Sequence, residues 1–242
     1  MIQLPVISGI LDRRILLNYR LDPGYLTKIL PRPFKPRLYK GMGVGGVCMI
    51  RFSALRPRFV PAFLGIDSEN AAHRIAVEWE AEGKKFEGVY IPKRNTASSF
   101  NTYAGGRVFP GVFQKSFFQV EEGGNRYKVD ILSEAHREKV VSFDGQISKS
   151  LSAGSIFPNL EEASVFFAKG SIGYSLSRDE SYFQGMELRL LVWQIEPMEI
   201  TSAFAQLFED REKFPNGTAE LDSAMLMKNL KHEWHRIPVI PS

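Results

Sequence analysis

Apolar and polar residues alternate along most of this chain, and short stretches rich in glycine or proline separate the alternating runs. In the run from Arg14 to Arg20, for example, Ile15, Leu17 and Tyr19 fall on one face. A period of two is typical of a half-buried β-strand. The same pattern predicts strands at 14–20, 44–53, 74–80, 88–92, 112–120, 127–132, 139–147 and 186–195, of which 186–195 is the longest run. Residues 221–230 fit either a strand or a helix.

A few short helices interrupt this strand pattern. Asp22 is a natural N-cap, Pro23 suits the first helical position, and Pro31 ends the helix that they begin. A second helix is predicted at 98–104, before two glycines. A third begins at Asn159, where a capping-box pattern starts, and ends near residue 170. We therefore expect a mostly β, α+β domain over residues 1–242, built on a curled or closed antiparallel β-barrel with short flanking helices.

Composition agrees with a soluble globular protein, since 44% of the 242 residues are hydrophobic and 24% are charged. The single cysteine, Cys48, excludes an intramolecular disulfide and any metal site built from several cysteines. No apolar run approaches the roughly 20 residues of a membrane-spanning helix. The N-terminus lacks the features of a signal peptide, so we expect a cytoplasmic protein without membrane partners.

Charge and standard motifs exclude several functions. The net charge of +4 is small and spread along the chain, so we expect no nucleic-acid partner. No phosphate-binding loop or dinucleotide fingerprint is present, because the glycines at 41–46 lead into a strand rather than a helix. We expect no cofactor. His232 and His235 are spaced so that they could share a metal, but a polar strand or turn is the favoured interpretation, and we predict no metal site.

Four short segments, in this order and spacing, resemble the acetoacetate decarboxylase-like superfamily. They are N-Y-R-L-D at 18–22, the prolines of P-R-P-F at 31–34, S-E-N at 68–70 and G-R at 106–107. Val108 departs from the family's G-R-E. The segments 68–74 and 217–224 look like a bacterial branch of that superfamily, the YqjF type. The resemblance implies the same barrel-like fold, a lyase-like ancestry, a pocket for a small carboxylate or carbonyl ligand, and a possible homo-oligomer.

The resemblance also implies where the reaction centre lies. The family's decarboxylases carry two consecutive lysines, and the first, activated by desolvation and a neighbouring cation, forms an imine with the substrate ketone. Alignment from Arg107 puts this pair on Gln114 and Lys115. An amide cannot form an imine, so the usual first step is missing. Lys115 points to the opposite face of the strand unless a bulge after Pro110 re-aims it. Otherwise its stem packs between phenylalanines.

Further site residues follow from the same resemblance. Glu69 matches a pocket glutamate that would act as acid and base or position the substrate; alternatively it is a carboxylate paired with Arg74 or His73. Arg107 would hold a substrate carboxylate. Either Arg13 or Arg14, which differ by one residue in register, sits at the family's early arginine, and Phe118 shares the pocket face with Gln114.

Three hypotheses about function remain open from the sequence. The first is an enzyme acting on a small keto acid, with Glu69 as acid and base, Arg107 as anchor and Gln114 as a hydrogen-bond donor. The second is a non-enzymatic binding or sensing protein on the same scaffold. The third is a Schiff-base lyase that uses Lys115.

Overall fold

The computed structural model describes residues 5–105 and 109–242, and strands dominate them. Within these residues there are thirteen strands, four α-helices and one 3-10 helix. The strands are β1 (Ile7–Leu21), β2 (Lys35–Pro36), β3 (Leu38–Tyr39), β4 (Met42–Pro57), β5 (Ile66–Ala81), β6 (Lys84–Thr96), β7 (Phe113–Gly123), β8 (Arg126–Ser133), β9 (Lys139–Ile147), β10 (Ile172–Leu176), β11 (Tyr182–Leu190), β12 (Glu196–Ala205) and β13 (Ala219–Pro241). The helices are α1 (Pro23–Ile29), α2 (Ser99–Ala104), α3 (Leu160–Ala168), α4 (Gln206–Glu209) and the 3-10 helix Ala62–Leu64.

Hydrogen bonds close the strands into two rings that share a wall. The nine-strand ring runs β5, β6, β7, β8, β9, β12, β13, β1, β4 and back to β5. The seven-strand ring runs β5, β6, β10, β11, β13, β1, β4 and back to β5. Five strands therefore belong to both rings and form the shared wall: β1, β4, β5, β6 and β13. Pairing is antiparallel except where β6 meets β7 and β10, so the predicted curled, mostly antiparallel sheet is confirmed.

Because the shared strands are covered on both sides, they bury both faces, and successive residues enter different apolar clusters. On β1, Ile15 belongs to the first cluster and Leu16 to the second. On β4, Met49 belongs to the first and Ile50 to the second. The first cluster also holds residues of β8, β9 and β12. The second is packed against α3.

Two β-bulges change which side chains face the second cluster. On β1, Asp12 is an extra residue opposite β4. On β6, Ile91 and Pro92 together stand opposite Arg74 of β5. An extra residue inverts the in-and-out alternation beyond it. This inversion places Arg94 on the same side of β6 as Ile91, although residues three apart on a regular strand point to opposite faces.

Most of the predicted elements are present, with differences at the C-terminal half. Asp22 caps α1, its carboxylate accepting a hydrogen bond from the Tyr25 amide at 2.6 Å. The predicted strand at 186–195 stops at Leu190, and Leu191 beyond it is 75% exposed, so the chain has left the sheet there. The ambiguous segment 221–230 is strand, inside β13, which at 23 residues is the longest described strand.

No helix in the described parts of the chain is long and apolar enough to cross a membrane.

Candidate functional site

A cavity of about 100 Å³ lies inside the seven-strand ring. Every strand of that ring contributes to its wall, and the segments after α2 and α3 complete it. Its apolar wall is formed by Ile50, Phe52, Leu55, Val89, Ile91, Phe109, Phe113, Met186, Leu188 and Trp234.

Three arginines supply the charge of this cavity: Arg14 from β1, Arg74 from β5 and Arg94 from β6. Among the described lining residues there is no aspartate, glutamate or lysine. None of the three guanidinium groups forms an ion pair with any carboxylate in residues 5–105 and 109–242. The cavity therefore combines an apolar wall with uncompensated positive charge.

Neutral groups hold these arginines in place. Arg74 is 4% exposed; it donates to the Cys48 sulfur at 3.0 Å and to the Asn18 side-chain oxygen, and it lies over the ring of Phe167. Arg94 donates through Nε to the Ser175 hydroxyl at 3.1 Å. Its guanidinium lies 5.5 Å from the centre of the Phe113 ring.

Burial disfavours the charge of these groups without removing it. Burial lowers the pKa of Arg94 to about 10. Burial also lowers the pKa of Arg74, with the nearby Arg14 acting in the same direction and Cys48 opposing it. Guanidinium groups stay protonated in proteins at neutral pH, so the charge is kept. Buried cations without a counter-ion are costly, so an anion that enters the cavity relieves this cost.

Cys48 and Asn101 are the remaining polar groups of special interest. Cys48 lies on β4, between the strands that carry Arg14 and Arg74, and is 2% exposed. The thiol is buried, which raises its pKa, but Arg74 and Arg14 outweigh this effect, and the pKa of Cys48 lies below its usual value. Asn101 of α2 is 4% exposed, and its Oδ1 accepts no hydrogen bond from the residues that the structure describes.

Glu69 and Arg13 lie together, but away from this cavity. Arg13 is 2% exposed and forms ion pairs with both Glu69 and Glu122. Glu69 therefore pairs neither with Arg74 nor with His73, the partners considered from the sequence. Burial raises the pKa of Glu69, although Arg13 opposes the shift. The two candidates for the early arginine are thus separated: Arg13 joins this ion cluster and Arg14 lines the cavity.

The predicted lysine-pair positions also lie outside the cavity wall. Gln114 is exposed, and it pairs with Asn95 where β7 runs parallel to β6. Lys115 donates from Nζ to the Ala97 carbonyl at 2.5 Å and to the Ser99 hydroxyl at 2.9 Å. Lys115 is on the same face of β7 as Phe113, which does line the cavity. Its ammonium, however, is hydrogen-bonded to the turn before α2 and to the first residue of that helix.

Phe118 and Arg107 complete the residues predicted from the sequence. Phe118 is partly buried, packs against the first cluster and is not among the residues that line the cavity. Arg107 lies outside the described residues. The structure thus brings Glu69 and Arg13 together outside the cavity, and of the described candidates it places only Arg14, the alternative to Arg13, in the cavity wall.

His232 and His235 contact different groups. His232 is 2% exposed and lies 5.0 Å, ring centre to ring centre, from Phe52. His235 pairs with Glu233 at 2.8 Å. No group of three or more potential metal ligands is found in the described parts of the chain.

Two of the cavity arginines, Arg74 and Arg94, were not selected from the sequence because of their surroundings. Arg74 alternates with Ile75 in a strand whose other face looks polar, which is typical of a solvated face. Pro92 marked the end of a predicted strand, so Arg94 fell outside it. One signal in the sequence points to such arginines. They are charged residues within strands that are too apolar to have a face exposed to solvent.

No protein-family model matches the chain, and a comparison with curated proteins finds no match. Solved structures do match along its whole length. An acetoacetate decarboxylase from Legionella pneumophila aligns with a TM-score of 0.64 and 11% identity, over 99% of this chain and 90% of that one. An acetoacetate decarboxylase-like enzyme from Sphingomonas wittichii RW1 aligns with a TM-score of 0.60 and 12% identity, over 100% and 94%.

A third similar structure is the enduracididine biosynthesis enzyme MppR, complexed with the condensation product of pyruvate and imidazole 4-carboxaldehyde. Its TM-score is 0.60 and its identity 12%, over 100% of this chain and 90% of that one. These likenesses show the acetoacetate decarboxylase-like fold, so the resemblance found in the sequence is confirmed at the level of the fold. Assignment to the YqjF type stays a prediction.

Proposed function

We propose that the cavity of the seven-strand ring binds a small carboxylate, such as a keto acid, and that this chain does so without imine chemistry. The observation that carries the proposal is the group of three arginines that line the cavity with no carboxylate or lysine among the described lining residues. Fold neighbours support the ligand class, since MppR is described in complex with pyruvate.

The charge of the cavity supports an anion as the ligand. A guanidinium group binds carboxylate oxygens through two parallel hydrogen bonds, and these charge-assisted bonds are stronger than neutral ones. The arginines are held by sulfur, amide and hydroxyl acceptors, none of which carries a full negative charge when the thiol is protonated. A carboxylate therefore supplies the charge that the surrounding wall lacks.

Size and polarity narrow the ligand further. A cavity of about 150 Å³ holds one benzene molecule, so about 100 Å³ suits a ligand of only a few non-hydrogen atoms. The apolar wall favours a carbon skeleton rather than an inorganic anion.

A pair of arginine and lysine variants tests the binding. Arg94 and Lys93 are neighbours on β6; the Lys93 ammonium donates to Gln206 at 3.2 Å and is absent from the cavity wall. We expect Arg94→Met to weaken pyruvate binding roughly 10- to 100-fold, because a charge-assisted hydrogen bond contributes about 1.5–3 kcal/mol. Lys93→Met, which removes the same charge from the other face, leaves the affinity unchanged. Calorimetric titration of the folded proteins measures both.

Reductive trapping tests the absence of imine chemistry. The protein is mixed with pyruvate and acetoacetate and treated with borohydride, and its intact mass is then measured by mass spectrometry. We expect binding without a reduced adduct. An adduct on Lys115 would establish the Schiff-base hypothesis and overturn this part of the proposal. Failure of folded wild-type protein to bind any of a panel of small keto and hydroxy acids would overturn the proposal as a whole.

A further inference from the structure

Among the described residues of the cavity wall, Cys48 carries the one thiol. Its sulfur is 3.0 Å from Nε of Arg74 and 3.5 Å from Nη2 of Arg14. The chain has no other cysteine. A thiolate, rather than a thiol, is the reactive form, and neighbouring cations stabilise it. The arginines that would bind a carboxylate therefore also stabilise the thiolate next to it.

Asn101 also lines the cavity, and its amide has an acceptor that the described residues leave unsatisfied. Its side-chain nitrogen donates to Asn70 at 3.1 Å and to Thr96 at 3.3 Å, and these bonds fix the orientation of the amide. The buried Oδ1 has no donor in the described residues. A buried acceptor without a partner costs about 1–3 kcal/mol.

We propose that Cys48 is a nucleophile that adds to small α,β-unsaturated carboxylates held by the arginines of the cavity. This rests on the proposed function, because it requires a carboxylate in the same cavity. It deepens that function by naming an electrophilic class of ligand and the atom that attacks it.

The addition balances without an oxidant or reductant. The Cys48 thiol first releases its proton to water. The thiolate electron pair then forms a carbon–sulfur bond at the β-carbon of the ligand, and the electrons of the carbon–carbon double bond move to the α-carbon. The α-carbon takes a proton from water. The net result is addition of S–H across the double bond, and elimination reverses it.

The test compares acrylate with acrylamide, two probes of nearly equal size that differ in charge. Free thiols react faster with acrylamide than with acrylate. A carboxylate withdraws electron density from the double bond less strongly than an amide does, and its negative charge repels the thiolate. We expect the ratio of the acrylate rate to the acrylamide rate to be at least tenfold higher for Cys48 than for glutathione, equivalent to about 1.4 kcal/mol. Intact mass over time measures both rates, and Cys48→Ser shows no adduct.

Variants distinguish guidance of acrylate by the arginines from a reaction that depends only on exposure of the thiol. Arg94→Met is expected to lower the rate ratio towards that of glutathione, whereas Lys93→Met keeps the wild-type ratio. An unmodified Cys48 in folded protein, or a wild-type ratio equal to that of glutathione, would overturn the proposal.

Failure here and failure of the proposed function give different results. If pyruvate binds but acrylate does not add, the nucleophile proposal falls and carboxylate binding stands. If pyruvate does not bind and acrylate shows no advantage over acrylamide, both fall. If acrylate adds with the expected ratio and pyruvate slows it, both are supported.

Discussion

At the scale of single residues, a shift of one position decides whether a charged side chain is paired within the protein or faces the cavity without a counter-ion. Arg13 and Arg14 are adjacent, yet Arg13 is bound to two carboxylates and Arg14 faces sulfur atoms of Cys48 and Met227. The first arginine has its counter-ions within the fold. The second does not, and this is the property that fits it for binding an external anion.

Glu69 is therefore expected to act in stability and not in ligand binding. Glu69→Gln removes one of the two charges paired with buried Arg13, and we expect it to lower the free energy of unfolding by about 1–3 kcal/mol while pyruvate affinity stays at the wild-type value. Glu121→Gln, which breaks an exposed pair with Lys128, is the control and costs less than about 1 kcal/mol. Urea unfolding and calorimetry measure the two quantities. A large loss of affinity in Glu69→Gln would return this residue to the site.

The same residue scale shows what the sequence could and could not predict. Alternation identified Ile15, Leu17 and Tyr19 as one buried face, and all three are in the first cluster. It could not show that the opposite face of β1 is also buried, because burial of that face depends on an element that is distant in the chain, the helix α3 of the second cluster. Charged residues on a doubly buried strand look solvated when only local alternation is considered.

At the scale of elements, irregular strands position the site. The bulge at Pro92 directs Arg94 into the cavity, and prediction failed there because a proline also commonly ends a strand. Glycines have a comparable role on β4. At Gly46, φ is +154°, and an added Cβ would lie 2.0 Å from the Leu17 carbonyl oxygen. The glycine run that did not fit a dinucleotide fingerprint thus allows β4 to approach β1 closely.

We expect Gly46→Ala to destabilise the protein by about 1–3 kcal/mol, because the backbone of Leu17 must move to admit the methyl group. Gly123→Ala is the matched control, since a Cβ at this strand end meets no atom within 4 Å. Thermal or urea unfolding of the two variants gives the comparison. Equal stability of both variants would show that β1 and β4 can separate locally at little cost.

At the scale of the whole molecule, each side of the shared wall holds a buried histidine. His73 is fully buried, and burial, with Lys93 adding to it, lowers its pKa to about 3. Burial, with Arg14 adding to it, lowers the pKa of His232 to about 4. Neither ring has a hydrogen-bond partner for its nitrogens in the described residues. Both histidines are therefore neutral in the folded protein at neutral pH.

This arrangement predicts loss of stability in mild acid. The unfolded chain takes up protons on these histidines below their ordinary pKa of 6.5, whereas the folded chain does not. The contribution of the two neutral histidines to the free energy of unfolding is therefore fully present above about pH 6.5. It is lost as the pH falls towards 4, by up to about 1.4 kcal/mol per pH unit for each histidine. His232→Phe, which suits its aromatic neighbours, should reduce this slope. Urea unfolding from pH 7 to pH 4 measures it.

The exposed His136 provides the control for this experiment. His136→Gln should keep the wild-type dependence on pH. If His232→Phe also keeps it, His232 is not the source of the acid sensitivity.

The shared wall has one more consequence, which concerns spectroscopy. The chain's three tryptophans divide between the two sides: Trp79 is in the first cluster, while Trp193 and Trp234 pack against the second. Trp234 lines the cavity, and Trp193 is held by a hydrogen bond from its indole nitrogen to Ser164 at 2.8 Å. With Trp193 replaced by phenylalanine, one tryptophan remains in each cluster, Trp79 in the first and Trp234 against the second. Quenching at Trp234 then reports occupancy of the cavity, and Trp79 serves as an internal standard within the same molecule.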